Sequence, residues 1–410
     1  MNILSSFLKS NGSSQQKIKA HNITLLFNLI RSSMPTSRAA LAEQTGLSPT
    51  TVSILVEELI DRKWVRETGV GDSSMRGRKP IMLEVNAEGG CIATVEIVSS
   101  GCICSLYDIC FKKLGSVHIR KLPYSSNAIT EEIKTLLKAK RVLLYRLIGI
   151  QLVFPGIFDQ ETGDLKFSVV VPADALHEYN LVSGLKKQFP KARVLICNNT
   201  TLLAYMEFAS EDNAPGKRLL AVNIDEGISA GVVTWDSRRE TCQCFSLEFG
   251  HIIVDQHGKM CKCQNRGCLE TICSIAALFR SLNERAGLSL EFDDTFGAEI
   301  NESAMREAAA LFHAQDPRMM EIMDDYVYSF CCGLISVINL YDIQVIHIGG
   351  AISALGENFL ALVRDTIATR FSLFRGAEGV VIEASRNDNL SRRRAAVMMA
   401  MDEIFANAEN

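Results

Sequence analysis

One segment constrains this chain more than any other. Residues 250–270, GHIIVDQHGKMCKCQNRGCLE, set His251, Cys261, Cys263 and Cys268 within eighteen residues. The stretch is rich in glycine and polar residues and too poor in apolar ones to build a core of its own. One imidazole and three thiolates form a soft, tetrahedral donor set, and a closed set of that kind suits structural Zn2+. His257, Cys242 and Cys244 stand nearby as competing donors. They rank second, because Cys242 and Cys244 alternate in a strand-like run and His257 sits between Gln256 and Gly258 in a turn. The alternative, buried thiols with a surface histidine, leaves a polar loop with nothing to hold it.

The chain has 13 cysteines in 410 residues. Its start, MNILSSFLKSNGSSQQKIKAHN, has polar residues where a signal peptide needs an apolar stretch, so a cytoplasmic, thiol-reducing setting is expected. Cys102, Cys104, Cys110, Cys331 and Cys332 lie in apolar runs as small buried hydrophobes. No apolar run reaches the roughly 18 residues of a membrane span, and no membrane insertion is expected. Net charge is only -4, but residues 1–84 hold 11 Lys and Arg against 7 Asp and Glu, and the remainder 32 against 40. A basic head on an acidic body fits a nucleic-acid-binding domain joined to an effector domain.

The head reads as three helices and a hairpin. Ile23, Leu26, Phe27 and Ile30 share one helical face; Ser37 is placed to cap a short helix that Gly46 ends; Ser48 and Pro49 open the next helix, with Val52, Leu55, Val56 and Leu59 inward. Thr50, Thr51 and Ser53 then face outward. A second helix that opens with small hydroxyl residues after a glycine turn suits entry into the DNA major groove. The strand-like WVRETGV and PIMLEV flank a basic loop, whose Arg76-Gly77-Arg78-Lys79 suits an A·T minor groove as a wing. Ser48, Thr50, Thr51, Ser53, Arg38, Arg76, Arg78 and Lys79 are the candidate DNA contacts. The NGSSQQ start and the final FANAEN read as arms.

From about residue 85, strands in a meander followed by helix and strand, repeated from LLAVNIDEGISAGVVTW onward, suggest two related α/β lobes. The expected division is 1–84 for the head, 85–200 for the first lobe with a returning helix at 390–406, and 201–389 for the second lobe with the metal loop.

The head followed by FPGIFDQETGDL, ICNNTTLLAYMEF, VNIDEGISAGVV, LEFGH, the CxCxxxxCLE segment and VIHIGGAIS resembles the ROK family of repressors, open reading frames and sugar kinases over residues 16 to 405. The resemblance implies an actin-like, ribonuclease-H-type pair of lobes behind a winged helix-turn-helix, a homodimer or homotetramer, and a role in sugar metabolism. It places the family's zinc ligands on His251, Cys261, Cys263 and Cys268, with Gln264 where a glycine is usual. It places the sugar contacts on Asn198, Glu248, His251 and Glu270, with Asn199 beside them. Such groups accept and donate directed hydrogen bonds to sugar hydroxyls.

The resemblance also implies what is missing. Family kinases carry a general base, an Asp directly after the Asn, where this chain has Asn199; a carboxamide cannot take a proton at neutral pH. Their Asp-x-Gly-x-Thr phosphate loop is replaced by Glu96-Ile97-Val98-Ser99-Ser100, with Val98 in place of the glycine. Gly227, Gly231, Gly349 and Gly350 survive, although glycines after strands commonly serve turns and close packing. The expected function is therefore a non-catalytic repressor that binds a double-stranded DNA operator and answers to a sugar or sugar phosphate. Two further readings remain: an active sugar kinase with a DNA-binding head, and a regulator controlled by a sugar-transporter protein partner.

Overall fold

The computed structural model describes residues 14–70, 79–98, 101–120, 125–159, 162–168, 181–209, 217–236, 241–293, 300–370, 379–385 and 389–406. Arg76 and Arg78 of the expected wing, Ser99 and Ser100, and the last four residues lie outside these.

In the head, α1 (Ser14–Ser33) buries Ile23, Leu26, Phe27 and Ile30 at helical spacing. It begins earlier than the sequence suggests. Ser14, Gln15 and Gln16, read as part of an arm, are its first turn, and Gln and Lys here are good helix formers. The two-residue β1 (Thr36–Ser37) leads into α2 (Arg38–Thr45), where the Ser37 hydroxyl accepts from Ala40 N. Gly46, at φ 69, ends α2 by donating its N–H to Ala42 O. α3 (Pro49–Asp61) is capped by Ser48, starts on Pro49 and buries Val52, Leu55, Val56 and Leu59. β2 (Val65–Val70) and β3 (Ile81–Val85) pair antiparallel, and β1 joins β3 to complete a three-stranded sheet.

The chain divides into two compact units, residues 1–197 with 393–410, and residues 198–392. Beyond the head, the first unit carries β4 (Cys91–Val98), β5 (Gly101–Asp108) and β6 (Lys113–Ile119) as an antiparallel meander, then α4 (Ser126–Ala139), β7 (Leu147–Phe154), a small hairpin of β8 (Gly156–Phe158) and β9 (Leu165–Ser168), α5 (Leu181–Gln188) and β10 (Arg193–Asn198). The sheet order is β10-β7-β4-β5-β6, with β4 and β7 parallel. Strand alternation sends Cys91, Ala93, Val95 and Ile97 to one face, where they pack with Ile129, Ile133 and Leu137 of α4 and Leu181 and Leu185 of α5.

The second unit repeats the plan. α6 (Asn199–Ala209) is followed by the meander β11 (Arg218–Ile224), β12 (Ile228–Asp236) and β13 (Thr241–Leu247), then α7 (Glu270–Cys273), α8 (Ile275–Ala286), α9 (Glu302–His313), α10 (Pro317–Tyr341), β14 (Val345–Gly349), α11 (Gly356–Arg370) and β15 (Val381–Ala384). Its sheet runs β13-β12-β11-β14-β15, with β11, β14 and β15 parallel. Each sheet is thus a meander extended by two further strands, the duplicated plan of the actin-like fold. Among the described residues no helix is long and apolar enough to cross a membrane.

α12 (Asn389–Ala406) returns to the first unit, where Val397, Ala400, Met401, Ile404 and Phe405 share one core with the head. The Phe405 ring lies 5.0 Å from Phe27 and 5.1 Å from Trp64, centroid to centroid. Phe405→Ala should therefore cost about 3–5 kcal/mol, read as a lower urea midpoint for the head transition. A change under about 1 kcal/mol would show that the helix is not part of the head's core.

Candidate functional site

The metal cluster is built by a loop folded tightly on itself. Bridges pair Ile253 with Cys268 and Met260 with Arg266, and Cys261 N donates to Asn265 O at 2.7 Å. Gly267, at φ 70, is obligatory: a Cβ there would lie 1.4 Å from Asp255 O. Gln264, where a glycine is usual, still adopts φ 72, so the turn is kept despite the side chain's preference against the left-handed region.

The ligand atoms of His251, Cys261, Cys263 and Cys268 all lie within 4.8 Å of one another. Cys263 Sγ and Cys268 Sγ are 3.6 Å apart, as are Cys261 Sγ and His251 Nδ1. Tetrahedral Zn2+ with bonds of about 2.3 Å to sulfur requires sulfurs about 3.8 Å apart, so the donor set fits. Burial, with the neighbouring thiols adding to it, pushes Cys268 up to about 12, and a divalent cation would relieve this crowding. His257 is exposed in the turn, its N–H donating to Asp255 Oδ1, and Cys242 and Cys244 lie on β13. Neither His257 nor Cys244 belongs to the cluster.

His251 joins this cluster to the carboxylates. Its Nδ1 faces Cys261, while its Nε2 lies 3.9 Å from Glu248 Oε2. Glu248 is exposed, so its acceptor capacity is open to a ligand. Glu270, at the start of α7, accepts from Ile228 N at 2.9 Å. Cβ atoms added at Gly227 and Gly250 would lie 2.7 and 3.2 Å from its Oε2, so these glycines admit the carboxylate. Gly231 packs against Thr200 O and the Ala204 methyl, a close-packing role.

Asn198 and Asn199 both sit where β10 becomes α6. Asn198 Oδ1 caps that helix by accepting from Thr201 N at 2.7 Å. Asn199 Oδ1 is buried and has no hydrogen-bond partner, an acceptor that a ligand hydroxyl would satisfy.

Sequence reasoning missed two sets of residues here. Asp225 Oδ1 accepts from Ala351 N at 2.8 Å, and burial, with Asp225 and Glu270 nearby, pushes the Glu226 carboxyl up. Glu207 and His347, both almost wholly buried, bond at 2.7 Å through Oε2 and Nδ1, and Ser385 Oγ donates to Glu207 Oε1. This network ties α6 to β14, an interior strand of the second sheet. The signal available was a glutamate inside the apolar LLAYMEFA and a histidine inside VIHIGG.

In the head, Ser48, Thr50 and Ser53 are exposed on α3 and Thr51 is half-buried. Ser53 Oγ donates to Pro49 O, and Ser48 and Thr51 hydroxyls bond each other at 2.8 Å. Arg38 is paired with Glu67 at 2.8 Å and Glu57 at 3.4 Å, and Lys79 is exposed before β3. Ile54, which the sequence reading passed over, is 61% exposed on the same outward side of α3.

The family model described as the ROK family matches residues 95–401. A xylose repressor of Bacillus subtilis (strain 168) is 28% identical over 364 residues, 87% of this chain and 88% of its own. A crystal structure of a ROK family transcriptional regulator, described as a homolog of the E. coli MLC protein, aligns with TM-score 0.72 at 22% identity, covering 95% of this chain and 98% of its own. A ROK hexokinase from Thermus thermophilus aligns with TM-score 0.57 at 19% identity, covering 77% and 99%.

Proposed function

Because the chain belongs to the ROK family, we propose that it is a sequence-specific DNA-binding repressor of sugar-metabolism genes, controlled by a sugar or sugar phosphate bound in its body. The observation that carries this reading is the head: a glycine-turned helix pair whose second helix turns Thr50, Ser53 and Ile54 outward and is anchored by a buried stripe behind. The division of labour follows the chain, with residues 1–84 reading DNA, 85–200 with 390–406 forming one lobe, and 201–389 the other. Arg38, Ser48, Thr50, Thr51, Ser53, Arg76, Arg78 and Lys79 contact the operator, whose two-fold symmetry a homodimer or homotetramer matches.

Zn2+ held by His251, Cys261, Cys263 and Cys268 has a structural role, fixing the loop that ends in Glu270. Asn198, Asn199, Glu248, His251 and Glu270 bind the effector. Catalysis is not part of this reading, because Asn199 occupies the base position and Glu96 is engaged by Arg393 at 3.3 Å. Coupled ATP turnover with a panel of hexoses should stay at background, and turnover above it would restore the kinase reading.

Ile54 is placed to meet a thymine methyl. Ile54→Ala should weaken operator binding about fivefold, ~1 kcal/mol, without lowering the melting temperature. Unchanged affinity would remove Ile54 from the reading face.

Fluorescence anisotropy tests the whole proposal, using a labelled fragment of the upstream region titrated with D-xylose, other common sugars and their phosphates at fixed salt. Release by one sugar supports the reading. Tight binding that no sugar disturbs would favour control by a sugar-transporter protein, and no binding would sink it.

A further inference from the structure

Beside the metal loop, wholly within the second unit, lies a cavity of about 480 Å3. The loop lines it with Lys259 and Arg266, and α8 lines it with Arg280. One carboxylate, Asp255, shares the wall, and its Oδ1 already accepts from His257 N at 2.9 Å. Residues 85–410 carry 40 acidic against 32 basic side chains, so a cavity with three cations against one carboxylate stands out from the body that holds it. A concave wall of one sign focuses its field on the space inside.

The fold holds these charges together. Met260 and Arg266 form a bridge, and Gly267 N donates to Lys259 O at 2.9 Å, which sets Lys259 and Arg266 on adjoining backbones. Like charges placed side by side repel, and an anion between them relieves the repulsion. Among the described residues Lys259 has an ion-pair partner, Glu284 Oε2 at 3.2 Å, and Arg266 has none. Lys259 and Glu284 are both more than half exposed, so water screens their pairing and an incoming anion displaces it at small cost.

We infer that this cavity binds a phosphate-bearing small molecule, or free phosphate, at a site separate from the sugar corner. Three cations against one carboxylate leave two positive charges, the complement of a phosphate dianion. Guanidinium groups offer paired N–H donors that match two phosphate oxygens, and the ammonium adds a point charge. The volume exceeds what one phosphate fills, and Ile272 and Ser281 line the remainder with one apolar and one hydroxyl group, as the carbon body of a phosphate ester requires. None of Asn198, Asn199, Glu248, His251 and Glu270 lines the cavity. The sugar corner has the opposite sign, with Glu248 and Glu270 in it and Glu226 near Glu270, and suits a neutral ligand better than a dianion. The inference goes beyond the effector reading and stands whether or not a sugar releases the operator.

Isothermal titration calorimetry of the full chain, in Hepes buffer at fixed ionic strength, tests it with two probes, inorganic phosphate and D-glucose 6-phosphate. At least one should bind at one equivalent with a Kd of about 1 mM or tighter. Lys259→Gln with Arg266→Gln should weaken that binding about tenfold or more, because both charge-assisted contacts are lost. Both side chains are exposed, so the fold and the zinc content should be unchanged. Glu284→Gln frees Lys259 and should tighten binding about two- to fivefold, a gain that a misfolded variant cannot imitate. Equal affinity for the two probes would identify phosphate alone as the ligand, and affinity tenfold higher for the ester would show that the rest of the cavity is filled. No binding of either probe at about 10 mM would overturn the inference. So would binding that the double variant leaves intact, affinity that Glu284→Gln leaves unchanged or lowers, or zinc lost in parallel with phosphate, which would assign these charges to the metal loop instead.

Discussion

Cys268→Ser protein should carry less than a tenth of the zinc of the wild-type chain, and its loop should become a protease site between residues 253 and 267. Cys268 is fully buried, pairs with Ile253 and lies 3.6 Å from Cys263. A hydroxyl in its place leaves two thiolates and one imidazole for a soft cation. Loss of an outer-shell partner alone costs about 10–100-fold in metal affinity, and loss of a direct ligand should exceed that. Structural zinc contributes about 10–16 kcal/mol in small zinc-folded peptides. The effect here should stay local, because none of residues 255–268 belongs to the second unit's apolar core. Far-ultraviolet circular dichroism should therefore change little, while sugar response is lost because Glu270 follows Cys268 by two residues. Elemental analysis settles the matter: zinc above half an equivalent in the variant would remove Cys268 from the ligand set.

Glu248→Ala should weaken sugar binding about 10–100-fold, the range expected when a charged hydrogen-bond acceptor worth about 1.5–3 kcal/mol is removed. Operator affinity without sugar should remain within about twofold of wild type, since an exposed side chain outside the core seldom shifts stability by more than about 0.5 kcal/mol. His251 Nε2, the nitrogen turned away from the sulfurs, lies 3.9 Å from Glu248 Oε2. The variant thus separates the effector role of this corner from its metal role, and zinc content should be unchanged. Equal loss of operator and sugar binding would count against a switch in which ligand affinity differs between two states.

The parts of this protein legible in the sequence are those whose chemistry closes over a few residues. Ser37, Gly46, Ser48 and Pro49 announce the ends of α2 and α3, because caps act on backbone groups one to four positions away. The inward stripe of α3 follows from helical period alone. Three thiols and an imidazole within eighteen residues imply their own meeting place. The start of α1 was misjudged because a polar first turn carries no apolar periodicity.

Partner choice for charges was decided only in three dimensions. Arg38 is one of the candidate DNA contacts in sequence, and in the fold the β2 hairpin brings Glu67 to it and α3 brings Glu57. Glu207 finds His347 140 residues away and Ser385 178 away, and Arg393 finds Glu96 at a separation of 297. Nothing local encodes these pairs, since they depend on which strands become neighbours and in what register. The sequence by itself determined the local elements, the donor set and the family's plan, because periodicity, capping and ligand type are short-range properties. The tertiary structure alone decided which charges are spent on one another and that the last helix completes the core of the first domain, because burial and Coulomb attraction act through space.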